Sequence, residues 1–113
     1  PHPRLWGTFP RVLGKYSREE NLISLEDAVY RMSGKPAEVF GLLGRGEVAV
    51  GNFADMVVFN PDTVIDKADF ENPMEPAAGI DAVFVNGHAI YRDGASIGAR
   101  PGKALKRQSR AAN

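Results

Sequence analysis

The sequence predicts an α+β fold in which helices come first and short strands of an incomplete sheet follow. Two observations carry the division: apolar residues recur at helical spacing up to about Arg45, and short β-type runs alternate with turns beyond it. A third is Asn86-Gly87, set between alternating apolar residues. This is the strongest short hairpin signal, because both central positions of a type I′ turn take positive φ. The expected units are a helical segment at residues 1–45, a strand segment at 46–105 and a basic tail at 106–113.

Phe9, Val12, Leu13 and Tyr16 share one face at i, i+3, i+4 and i+7, which predicts a first helix. Thr8 is its expected N-cap, and Pro10 falls early, where a missing N–H costs little. Gly14 weakens this helix by up to about 1 kcal/mol relative to alanine. Ser24-Leu25-Glu26-Asp27 reads as a capping box opening a second helix. Leu25, Ala28, Val29 and Met32 form its apolar stripe, with Gly34 as a left-handed stop. A short third helix is expected from Pro36 through Val39 and Phe40, ending near Gly44.

Residues 54–60 hold Met56, Val57, Val58 and Phe59 together, bounded by Asn52 and Pro61, and read as a buried strand. Residues 81–85 and 88–91 flank the Asn86-Gly87 turn. Arg92-Asp93-Gly94 makes a second turn before a brief run at 95–97. The intervening stretch 62–79, with Pro73, Pro76 and several acids, reads as a long connecting loop. So few short strands leave a sheet face or an edge uncovered. The missing strands must come from another segment or another copy. The chain is therefore expected to dimerise through strand edges or to cover an apolar patch with its own helices.

With 14 basic and 14 acidic residues the net charge is zero, which gives no electrostatic argument for nucleic acid or an anionic membrane. Arg100, Lys103, Lys106, Arg107 and Arg110 cluster at the end and read as a solvated terminus. The absence of cysteine excludes disulfides and thiolate metal sites. No stretch approaches the ~18 apolar residues of a membrane span, and no signal-peptide pattern opens the chain. A cytoplasmic setting is the default. A first residue of Pro1 rather than Met points to a fragment or a cleaved product.

The search for chemistry is mostly negative. With two histidines and no His-x-His or His-Glu-x-x-His spacing, a zinc site would need carboxylates converging in space. Gly44-Arg45-Gly46 precedes a strand rather than a helix N-terminus, so it reads as a turn and not a phosphate cradle. His88 reads as an exposed strand residue. Asp55 could be a base ahead of a buried run, but reads as a turn-stabilising acid. The remaining candidates are His2, Arg4 and Trp6. Two prolines should hold this start extended, presenting a titrating group, an anion fork and a flat apolar wall. The alternative for these residues is a disordered terminus.

Gly46-Glu47-Val48-Ala49-Val50-Gly51-Asn52-Phe53-Ala54-Asp55 with its following strand, and Val85-Asn86-Gly87, resemble the amidohydrolase superfamily. Pro1-His2-Pro3-Arg4 and Gly7-Thr8-Phe9-Pro10-Arg11-Val12-Leu13-Gly14 are similar to its N-acyl-D-amino-acid deacylase (D-aminoacylase) branch. So are Gly79-Ile80, Tyr91-Arg92-Asp93-Gly94 and Gly98-Ala99-Arg100-Pro101-Gly102. The resemblance implies helices from the end of a (β/α)8 barrel followed by part of a β-sandwich whose other strands come from the N-terminal segment. It also implies a zinc in the barrel that polarises an amide carbonyl and activates water. All its ligands would lie ahead of Pro1, leaving no catalytic residue here and an inactive isolated chain. His2, Arg4 and Trp6 then belong to a loop beside the substrate pocket. The rivals are a free-standing α+β interaction module and a cyclic-amide amidohydrolase of dihydropyrimidinase type. Gly7-Thr8-Phe9-Pro10-Arg11 favours the linear N-acyl-D-amino acid substrate.

Overall fold

A computed structural model describes residues 1–108. Helix α1 spans Arg4–Arg11 and runs directly into π-helical turns over Val12–Glu19. It therefore starts a turn earlier than the spacing predicts. Pro3, at φ −59° and ψ −20°, is its N-cap, so proline's fixed φ launches the helix instead of extending the chain. Thr8 is not a cap: its hydroxyl donates to the Arg4 carbonyl at 2.6 Å within the helix. Pro10 is likewise interior and supplies no N–H to the ladder, and two residues later the helix widens. Widening changes the angular step per residue and dissolves the expected stripe: Leu13 is buried while Phe9 is 62% exposed.

Helix α2 covers Leu25–Met32, with the Ser24 hydroxyl accepting from the Asp27 N–H at 3.1 Å. Ala28 is its buried contact, flanked by half-buried Leu25 and Met32, whereas Val29 stays exposed. Gly34 does not stop α2 in a left-handed turn; it opens helix α3, Gly34–Phe40. A Cβ at Gly34 would meet the Tyr30 ring at 3.0 Å, so glycine is there for close packing. The left-handed stop falls at Gly41, φ 67°, three residues before the expected Gly44.

The strands are β1 Met56–Phe59, β2 Ile80–Val85, β3 His88–Arg92 and β4 Ala95–Ser96. They form one antiparallel sheet in the order β1-β2-β3-β4. Asn86 and Gly87, at φ 49° and 78°, make the expected turn, with Val85 opposite His88. Asp93 and Gly94 repeat it at 52° and 85°. Both faces of β1 are open, since neighbouring Val57 and Val58 are 52% and 49% exposed. The helices do not cover this sheet, contrary to one branch of the expectation.

The core is small and lies where the helices meet the stretch between β1 and β2. Leu13, Ala28 and Val64 are buried together, with Val12, Ile23, Leu25, Met32, Phe59 and Ile80 packed around them. Val64 is the fully buried large side chain, although its segment reads as loop. Ile65 bridges Ala78, and Arg18 donates to the Val64 carbonyl at 2.7 Å and to that of Pro61 at 3.1 Å. The helical and strand parts thus share one core. The sheet projects beyond it: the radius of gyration is 15.3 Å, against about 13 Å for a compact chain of this length.

The start of the basic tail is not free. The Gln108 N–H donates to the Gly41 carbonyl at 2.8 Å, and the Arg107 guanidinium to that of Val39 at 3.3 Å. A cation there complements the C-terminal end of α3. Arg110 lies outside the described residues. Among those described, no helix is long and apolar enough to cross a membrane.

Candidate functional site

The N-terminal part of α1 and the loop between β1 and β2 enclose an open cleft of about 520 Å³. Arg4, Gly7, Thr8 and Arg11 form one wall at i, i+3, i+4 and i+7, a helical face. Asp66, Ala68, Asp69 and Phe70 form the other, with His2 and Tyr16 at the margins. The His2 ring meets the edge of Phe70, centroids 5.3 Å apart at 82°. His2 Nδ1 accepts the Arg4 backbone N–H at 3.0 Å, which in the neutral ring leaves Nε2 as the free donor.

Arg11 is committed. Its guanidinium lies 3.2 Å from Asp66 Oδ2 and over the Tyr16 ring, and it donates to the Tyr16 hydroxyl at 3.4 Å. The Tyr16 and Asp66 hydrogen bonds hold its pKa above the ordinary value, so the charge is fixed. The Arg4 guanidinium, among the described residues, has no acidic partner within ion-pair distance. The cleft therefore offers one neutralised cation and one available cation, a pattern suited to a carboxylate.

Of the three residues expected to act together, His2 and Arg4 line this cleft and Trp6 does not. In an extended chain Arg4 and Trp6 would face the same side. In a helix two residues turn by about 200°, so Trp6 points away. Sequence reasoning missed Thr8, Arg11, Tyr16 and the whole loop wall. Starting the helix at Pro3 would have aligned Arg4, Thr8 and Arg11; the loop wall carries no periodic signal.

Asp55 has the structural role expected of it. One oxygen accepts the Asn86 N–H at 2.8 Å and the other pairs with Arg45, whose guanidinium stacks on Phe53 at 4.0 Å. Burial pushes the Asp55 carboxyl up, but the Asn86 N–H and the Arg45 charge outweigh it and hold the carboxyl below its ordinary range. Gly44 and Gly46, at φ 76° and 86°, serve as turns around Arg45. Among the described residues no group of three or more His, Asp or Glu side chains could hold a metal ion.

Residues 1–91 match the amidohydrolase family. The D-aminoacylase of Alcaligenes xylosoxydans xylosoxydans is 55% identical over 107 residues, which is 95% of this chain and 22% of the relative. A crystal structure of D-aminoacylase superposes with a TM-score of 0.93 at 56% identity, covering 95% of this chain and 23% of that one. The N-acyl-D-glutamate deacylase of Bordetella bronchiseptica, solved with zinc and a phosphonate inhibitor, gives 0.87 at 50% identity, covering 94% and 22%. The chain thus spans about a fifth of the length of the proteins it resembles. At these identities, and with the match running through both helices and sheet, the chain belongs to the amidohydrolase family.

Proposed function

We propose that this chain is the C-terminal part of a zinc-dependent amidohydrolase that hydrolyses N-acyl-D-amino acids to a carboxylate and a D-amino acid. Residues 1–45 would be the end of its catalytic barrel, 46–105 part of its β-sandwich, and 106–113 a basic tail. The zinc ligands belong to the longer protein, so the isolated chain is inactive. Strands from that longer chain would cover Val57 and Val58; without them, pairing of two copies through the β1 or β4 edge is the expected substitute. A cytoplasmic location accompanies this reading.

The observation that carries the role of this segment is the cleft, with His2 and Arg4 on its rim and Arg4 the available cation. A planar guanidinium suits the α-carboxylate that every N-acyl-amino acid bears. The His2 Nε2–H is a second donor beside it, and Trp6, on the other side of α1, is left as an apolar wall for a different part of the pocket. In the longer protein, Arg4→Ala is expected to lower kcat/KM about tenfold, chiefly through KM, because one charge-assisted hydrogen bond is lost. His2→Ala should have a smaller effect of the same kind. Unchanged KM and kcat in both variants would sink this placement of the pocket.

A further inference from the structure

Gly7 is buried where α1 meets the loop between β1 and β2, and a Cβ there would stand 2.8 Å from the Asp66 Cβ. The Asp66 side chain is only 11% exposed and pairs with Arg11 at 3.2 Å. One loop residue therefore touches α1 at i and i+4, on the face that carries Arg4 one turn earlier. Loop and helix approach this closely only because position 7 has no side chain.

We propose that Asp66 is a positioning residue for the Arg4 end of the cleft, set by its contact with Gly7 and its ion pair with Arg11. It acts in two ways. The Gly7 contact fixes the first turn of α1 against the loop, and so fixes where the Arg4 guanidinium lies. The Arg11 pair neutralises the neighbouring cation, leaving Arg4 as the group that meets an anion. Asp66 itself touches no substrate in this role. The strand half thereby sets the geometry of a wall built by the helical half. This rests on reading the cleft as the pocket for an N-acyl-D-amino acid.

The test uses the longer protein with Asp66→Asn, which removes the charge, and Gly7→Ala, which drives a methyl into the Asp66 Cβ. Val64→Ala is the control: it damages the same loop's core contact without lining the cleft. Two readouts are taken: KM and kcat for N-acetyl-D-methionine, and hydrogen exchange of the Leu5–Thr8 amides. Both cleft variants are expected to raise KM about tenfold, with kcat altered less, and to speed exchange in the first turn. Val64→Ala should lower the melting temperature and leave KM alone. An unchanged KM in an active Asp66→Asn protein overturns the proposal, as does an equal rise in KM in the control. Should the longer protein fail to hydrolyse N-acyl-D-amino acids, the functional reading falls and exchange alone decides. Selective loosening by Gly7→Ala and Asp66→Asn then supports the positioning role, and none contradicts it.

Discussion

Gly14→Ala is expected to destabilise the chain by about 3 kcal/mol, a fall of roughly 12 °C in melting temperature for a chain of this length. Gly14 has ordinary helical φ, so no conformational strain is involved. On propensity alone alanine should gain up to about 1 kcal/mol. Contact decides the sign. A Cβ at Gly14 would overlap the Val64 carbonyl oxygen and stand 2.6 Å from Ile65 Cδ1 and 3.0 Å from Ile65 Cα. That backbone cannot retreat cheaply. The Val64 carbonyl accepts from Arg18, its N–H donates to Asn60 at 2.9 Å, and Ile65 is bridged to Ala78. From the other side, Gly79 holds the same residue, its Cβ position lying 2.5 Å from Val64 Cα. Gly51→Ala makes the useful contrast. It has φ 90° and nothing within 4 Å, so its cost is backbone strain alone, about 1 kcal/mol. Thermal or urea denaturation of both variants separates contact from conformation. Equal shifts would contradict the packing argument.

Asp55→Ala is expected to cost about 2 kcal/mol, because two charge-assisted hydrogen bonds are lost and Arg45, its side chain 12% exposed, is left unpaired. The damage should centre on the β2–β3 hairpin, whose Asn86 N–H loses its acceptor. Asp55 also gives acid sensitivity of a defined sign. Its folded carboxyl titrates below the ordinary value of 3.8, so the unfolded chain binds its proton first as pH falls. The stabilisation is full above about pH 4 and fades as pH drops through the lower folded value. Comparing wild type with Asp55→Ala from pH 7 to pH 3 should show the gap in stability narrowing with acid. A gap that widens would reverse the assigned shift.

The strand half was the more legible part because its signals are local. Asn86-Gly87 and Asp93-Gly94 demand positive φ at fixed positions, and alternation on either side sets the pairing. Helix α2 was legible for the same reason, through Ser24 and its hydroxyl bond to the Asp27 N–H. What escaped depends on contacts distant in the chain. Pro3 and Pro10 both suit an early position, and only packing against Asp66 and Val64 selects the longer helix. Gly34 reads as a stop signal until the Tyr30 ring beside it shows that its place is one of close packing. Val64, the buried residue of the loop, has no periodic neighbours to announce it. Trp6 was grouped with His2 and Arg4 on the expectation of an extended segment, whereas the helix turns it away from the cleft that Arg4 lines.

The proposed function makes this chain a pocket wall of a deacylase whose metal is held elsewhere. It is tested most directly by assaying N-acetyl-D-methionine and its L-enantiomer with zinc, using the longer protein and the isolated chain side by side. The expected result is release of D-methionine by the longer protein, little action on the L-form, and none by the chain alone. Turnover by the isolated chain, or a longer protein that cleaves only cyclic amides, would contradict it.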